Sequence, residues 1–171
     1  MTILFLLFIG CDIPEEIYDN PLDLDLNAEK GITPPALVFN PNEISANSGS
    51  NVTIQVFALE VNNVAGSHIQ VSYDKNKLSL ASVTLGELFN AAQDPLFFYE
   101  NNPTSGVLDI YTSFLGDDTS VSGTGTLAYL VFSATAPGIT NLQITSISEL
   151  VDPDDNPIQL NGLGQGVVNA N

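Results

Sequence analysis

The chain has 171 residues, 44% of them hydrophobic, which is enough for one domain with a substantial apolar core and leaves little for a second. Three lysines and no arginine stand against 20 acids, a formal charge of −17, which excludes nucleic acid as a partner, since such a surface cannot neutralise phosphates and release their counterions. Anionic headgroups repel it for the same reason, so any membrane attachment is covalent or apolar, and Cys11, the single cysteine, rules out an internal disulfide.

Residues 1–10 read MTILFLLFIG, apolar from Ile3 to Ile9. The run is far short of the roughly 20 residues that span a bilayer but suits the h-region of a signal peptide. The following Phe8-Ile9-Gly10-Cys11 resembles a bacterial lipobox, which implies lipidation of Cys11 and an exported protein held at the cell envelope, at the outer membrane or cell surface. An ordinary free or buried cysteine is the alternative. From Cys11 to Pro35 the chain carries seven acids (Asp12, Glu15, Glu16, Asp19, Asp23, Asp25, Glu29) against Lys30, with prolines at 14, 21, 34 and 35. So acidic and proline-rich a segment is expected to stay extended, as a tether to the domain at 36–171. A short strand or helix around Leu22–Leu26 is the competing possibility.

From Leu37 onward, short runs of period two alternate with turn clusters. Leu37–Phe39 with Ile44 opens the domain. Asn51–Val61 puts Val52, Ile54, Val56 and Ala58 on one face. His68–Tyr73 turns Ile69, Val71 and Tyr73 inward and His68, Gln70 and Ser72 outward. Leu78–Leu85, a looser stretch from Phe89 to Pro95, and Leu96–Glu100 follow. Val107–Phe114 faces Leu108, Ile110 and Phe114 inward against Asp109, Tyr111 and Ser113 outward. Leu127–Ala134, Asn141–Ile147 and Gly166–Asn169 complete about nine strands of an all-β, antiparallel sandwich. No stretch keeps a helical period.

Catalytic chemistry has little to stand on. His68 is the single histidine, and alternation places it on a solvated strand face with no obvious Ser or Cys partner for nucleophilic catalysis close in sequence. The acid pairs Glu87 with Asp94, and Asp109 with Glu149, are of the kind any acidic domain offers. Asp152, Asp154 and Asp155 form the densest acid cluster. They are a weak calcium candidate, though the sequence Asp-Pro-Asp-Asp-Asn equally suits a tight turn. Tyr99, Tyr111, Phe97 and Phe98 are candidates for stacking on a glycan, without any Trp to form a broad platform. No cofactor is expected.

Between Val64 and Gly86 a small-residue turn leads into an alternating strand, the Tyr73-Asp74 corner, a second strand and a closing glycine. With Ala65-Gly66, Leu78, Val83, Gly106, Gly123-Thr124-Gly125 and Phe132, this pattern resembles the cohesin family. That resemblance implies a jelly-roll sandwich that is not an enzyme and that grips a dockerin module on a partner. The docking positions it implies are His68, Gln70, Ser72, Asp109, Tyr111 and Ser113. Where cellulosomal cohesins of one type carry an Asn-x-Asp pair, this chain has Gly66-Ser67-His68, so a divergent dockerin or another protein ligand fits better than a cellulosome scaffold. A glycan-binding surface lipoprotein is the alternative function.

Overall fold

Period-two alternation over residues 51–64 and 121–134 builds the two longest strands, and the other elements are assembled around them. The computed structural model describes residues 23–90, 95–114 and 119–171. One sheet runs in the order β12 (Gly162–Leu163), β1 (Ala36–Asn40), β3 (Asn51–Val64), β8 (Val121–Ala134) and β5 (Leu78–Leu85). The other runs β11 (Pro157–Ile158), β10 (Glu149–Val151), β4 (Gly66–Tyr73), β9 (Gly138–Ile144), β13 (Gln165–Ala170) and β2 (Glu43–Ala46). On its remaining side β4 pairs with β7 (Val107–Ser113), which in turn pairs with β6 (Leu96–Asn102).

The inward faces meet in a dry core. Phe39, Ile54, Leu130 and Phe132 come from the first sheet, and Ile69, Leu108 and Ile110 from the second, all essentially inaccessible to water. Tyr73 and Phe132 bring their rings together at 5.1 Å, tilted by 57°. Helix α2 (Glu87–Asn90) inserts Phe89 against Phe114 at 5.4 Å.

Two glycines of the sequence pattern have steric reasons. A Cβ on Gly86 would lie 2.2 Å from the Thr126 carbonyl oxygen, and one on Gly106, at φ +72°, would lie 2.2 Å from that of Tyr73. Gly106 thereby lets the β6–β7 turn close on the Tyr73-Asp74 corner, where Tyr73 donates its N–H to the Gly106 carbonyl and its hydroxyl to Asn101. The Ser122-Gly123-Thr124 segment serves a bulge. β3 slips register against β8 between Ala58 and Val64, and Thr124 Oγ1 and Ser122 Oγ accept the N–H groups of Glu60 and Asn63.

The structure departs from the sequence expectation in four places. It has thirteen strands among the described residues, not about nine, because β10, β11 and β12 are only two or three residues long and too short to show alternation. The sandwich is not wholly antiparallel: β12 runs parallel to β1, and β13 parallel to β2. The stretch around Phe89 is the helix α2 instead of a loop. Ile147 lies beyond the end of β9 and is exposed.

The tether also needs correction where it is described. From Asp23 on it is folded, as helix α1 (Leu24–Glu29), whose first N–H groups, those of Asp25 and Leu26, are taken by the Asp23 carboxylate. Ile32 then packs against Ala36, Val38 and Leu59 on the outer side of β1, so an apolar anchor outweighs the charge and proline content. Residues 11–22 of the expected tether, and the leader at 1–10, lie outside the described residues.

Gly86→Ala is expected to cost about 2–3 kcal/mol, because its methyl meets backbone that cannot step aside. Gly49→Ala, where the added Cβ meets nothing within 4 Å and the cost comes from the left-handed backbone at φ +87° alone, is expected to cost less, about 1 kcal/mol. Urea unfolding of the two variants side by side checks the order.

Candidate functional site

The six outward positions all stand on the same side of β4 and β7. Their register sets the contacts: His68 lies opposite Tyr111, Gln70 opposite Asp109 and Ser72 opposite Val107. On the far side of β7, Phe98 lies opposite Tyr111, Glu100 opposite Asp109 and Leu96 opposite Ser113. Beyond His68, β10 contributes Glu149 to the same row. The outer face is therefore a grid of cross-strand rows, the units in which sheet side chains interact.

One row is a stack of rings. His68 lies on Tyr111 at 4.6 Å and 7°, and Phe98 on Tyr111 at 4.6 Å and 17°. Because β7 runs between β4 and β6, these two neighbours cover opposite faces of Tyr111. The adjacent row is polar. Asp109 Oδ1 lies 2.8 Å from His68 Nε2 and accepts from Gln70 Nε2 at 2.9 Å. A carboxylate only accepts, so the proton in the first contact resides on the imidazole. Gln70 Oε1 in turn accepts from Thr145 Oγ1 at 2.9 Å. Ser148 Oγ accepts the Gln70 N–H at 2.9 Å. The chain from His68 through Asp109 and Gln70 to Thr145 holds β4, β7 and the end of β9 in one arrangement.

Four of the six expected residues, His68, Gln70, Asp109 and Tyr111, are joined by direct contact. Ser72 and Ser113 sit outside that group, at opposite ends of the face. Residues absent from the expected face but present on it are Leu96, Phe98, Glu100 and Glu149. The alternation of Leu96–Glu100 was the available signal, since it puts Leu96, Phe98 and Glu100 on one side and Phe97 and Tyr99 on the other. Phe97 packs against the core, and Phe98 is 60% exposed.

The stack also changes how the aromatics bear on a glycan. Both faces of Tyr111 are occupied, and Tyr99, opposite inward-facing Ile110, stands on the other side of the sheet. The free ring surface on this face is the outer side of Phe98. Glu100 and Asp109, directly opposite one another, keep the surroundings anionic. Burial first, and then the charges of Asp109 and Glu100, push the Tyr111 phenol above its ordinary range.

The other candidates resolve into structural roles. Asp152 directs its carboxylate into its own turn, accepting the N–H groups of Asp154 and Asn156 at 3.0 and 2.8 Å. Those two bonds and the Asn156 amide, with the Asn156 N–H the largest cause, hold its carboxyl below the usual value. Residues 152–156 therefore close a tight turn of the kind the sequence also allowed; among the described residues no group of three or more His, Cys, Asp or Glu is placed to hold a metal ion. Glu87 accepts from the Tyr129 hydroxyl, and Asp94 lies outside the described residues. Asp109 and Glu149 stand on opposite sides of β4. His68 turns Nε2 to Asp109 and one ring face to Tyr111. Cys11 lies outside the described residues.

Residues 37–168 match the model of the cohesin domain. No curated protein matches the chain in sequence. Among solved structures, a non-cellulosomal cohesin from the archaeon Archaeoglobus fulgidus is similar at 22% identity and a TM-score of 0.66, over 80% of this chain and 90% of that one. The cohesin of a complex of OlpA with a dockerin from Clostridium thermocellum aligns at 16% identity and a TM-score of 0.67, over 80% and 98% of the two chains. The sixth cohesin of Acetivibrio cellulolyticus scaffoldin B, in complex with a dockerin, aligns at 22% and 0.64, over 80% and 98%.

Asp109→Ala removes the acceptor shared by His68 and Gln70 and is expected to destabilise the fold by about 1–3 kcal/mol in urea unfolding. A second expectation concerns alkali. A phenol whose folded pKa lies above 10.0 contributes stability that is complete below the unfolded value and disappears as pH rises through the folded one. Tyr111→Phe should remove a late component from the absorbance titration of tyrosinate.

Proposed function

The chain belongs to the cohesin domain family, and from that premise we propose that it is a non-catalytic protein-docking module whose outer β6–β7–β4 face receives a dockerin-type partner. The observation that carries this reading is the ring row of Phe98, Tyr111 and His68, braced by Asp109 and Gln70. Side chains already stacked and hydrogen-bonded lose little rotamer freedom when a partner arrives, so more of the contact energy appears as affinity. Aromatic groups at the middle of a face with a polar surround are also the composition of an interface centre. The complexes of two similar cohesins with dockerins support the class of partner.

On the same reading, Cys11 carries a lipid that holds the module at a bacterial cell envelope, with the acidic residues after it as spacer. Among the described residues no helix is long and apolar enough to cross a membrane. A net charge of −17 keeps the domain from settling on anionic headgroups and leaves its docking face turned to solution. Glycan binding, the other function the sequence suggested, is less well served, because the central tyrosine has no uncovered face.

Calorimetric titration against a panel of dockerin modules tests the docking reading. At least one is expected to bind at micromolar Kd or tighter, and Tyr111→Ala to weaken it by about tenfold or more, equivalent to roughly 1.4 kcal/mol, with the thermal unfolding of the module retained. Binding indifferent to substitution at His68, Gln70, Asp109 and Tyr111 would reject this face. Retention on immobilised polysaccharide with no dockerin bound would favour the glycan reading. For the anchor, radiolabelled fatty acid should enter the wild-type protein in a bacterial host and not Cys11→Ser; equal labelling of the two would remove it.

A further inference from the structure

The outer side of the β12-β1-β3-β8-β5 sheet, on the layer opposite the docking face, differs from the rest of the molecule in charge. Residues 51–57 of β3, 126–133 of β8 and 79–84 of β5 contain no Asp, Glu, Lys or Arg, in a chain whose net charge is −17. Strand register lays their outward side chains in rows. Gln55 lies opposite Tyr129, and Tyr129 opposite Thr84. In the next row Thr53 lies opposite Val131, and Val131 opposite Ser82. Phe57, opposite Thr126, adds a second partly exposed ring and joins the small apolar cluster around Ile32.

Two of these groups are fixed by bonds that leave their recognition chemistry unused. Gln55 Oε1 accepts from Asn40 Nδ2 at 2.9 Å and from Thr126 Oγ1 at 3.3 Å. Two donors on that oxygen set the orientation of the carboxamide, and Nε2, with two hydrogens to give, donates to no group among the described residues. Tyr129 donates its hydroxyl to Glu87, the first residue of α2, which ties the ring at its far end. Among the described residues no other ring stacks on Tyr129, in contrast to Tyr111.

We propose that this face is a shallow binding site for a neutral polysaccharide chain, centred on Tyr129 and Gln55. The apolar face of a sugar ring lies on Tyr129, its hydroxyl oxygens accept from Gln55 Nε2, and its neighbouring hydroxyls meet Thr84 and Thr53, which both give and accept. Groups already held in place lose little freedom on binding. A charged ligand finds no counter-charge on these rows. Phe57 and Tyr129 are only partly exposed, so a protein partner finds little apolar area to bury. The site lies on the other layer of the sandwich from the ring row of Phe98, Tyr111 and His68, so one module can hold a glycan and a protein partner together.

The test titrates the full chain, isotope-labelled for NMR, with cellohexaose, xylohexaose and mannohexaose, and with hexagalacturonate as the charged control. At least one neutral hexaose should saturably shift the side-chain Nε2 signals of Gln55 and the amides of Tyr129 and Thr84, at a Kd about tenfold below that of hexagalacturonate. Gln55→Glu keeps an oxygen for Asn40 and Thr126 and removes the donor; it should weaken binding about tenfold with thermal unfolding retained. Tyr129→Ala should abolish the response, and Tyr129→Phe, which keeps the ring, should retain part of it. The proposal is overturned if no neutral hexaose moves these signals, if the shifts fall on β4, β6 and β7, if hexagalacturonate binds as well, or if Gln55→Glu binds like wild type. Shifts at the same positions that follow protein concentration without sugar would give the face to a second copy of the chain and overturn it as well. The docking reading fails separately: a chain that answers a hexaose and binds no dockerin keeps this site, and one that binds a dockerin and answers no hexaose keeps only the docking face.

Discussion

The pairing register of β4 against β7, and of β7 against β6, is the constraint on which the outer face depends. Because strand side chains alternate strictly, a slip of one residue would send Tyr111, His68 and Phe98 into the core and bring Ile110, Ile69 and Phe97 to the surface. The register is secured from both sides. Beneath the sheet, Ile69, Leu108 and Ile110 are buried against the opposite layer. Above it, Asp109 ties β7 to β4 through His68 and Gln70. At the end of the strands, the close approach of Gly106 to Tyr73 fixes where the β6–β7 hairpin meets the corner after β4.

This arrangement divides the labour between the layers. The β12-β1-β3-β8-β5 sheet supplies the longest strands and two fully buried rings, Phe39 and Phe132. On its outer side Ile32 covers part of β1 near the small cluster of Ala36, Val38 and Leu59. The other sheet is apolar within and mixed without. Its outer side combines stacked aromatics with Asp109, Glu100 and Glu149, in a chain with only three cations. Lys75 and Lys77 are turned to the backbone carbonyls of Thr104 and Ile139. Repulsion between copies of so acidic a domain disfavours self-association, and a basic partner would be drawn to it.

Much of this was legible in the sequence wherever a single strand was long enough to show its alternation. The inward Ile69, Val71 and Tyr73 and the outward His68, Gln70 and Ser72 follow from period two alone, as do the two faces of Val107–Phe114. The glycines at 86 and 106 belong to a recognisable pattern, although the carbonyls they make room for are visible only in the fold. What stayed hidden is non-local. The stack of Phe98 on Tyr111 on His68 joins three strands, and its order depends on pairings that no local pattern encodes. β10, β11 and β12 span only two or three residues, too few to show an alternation, so Glu149 could not be assigned a place beside His68. The folded segment after Asp23 was masked by its acids and prolines, while the features that seat it, one capping carboxylate and Ile32, are single residues.

Hydrogen–deuterium exchange of the full chain, free and saturated with a dockerin that it binds, measures the central claim most directly. New protection confined to β4, β6 and β7, with the β5–β8 side of the sandwich unchanged, is the expected result. Protection on β3, β8 and β5 with the β4–β7 amides unaltered would contradict it, and would assign docking to the opposite sheet.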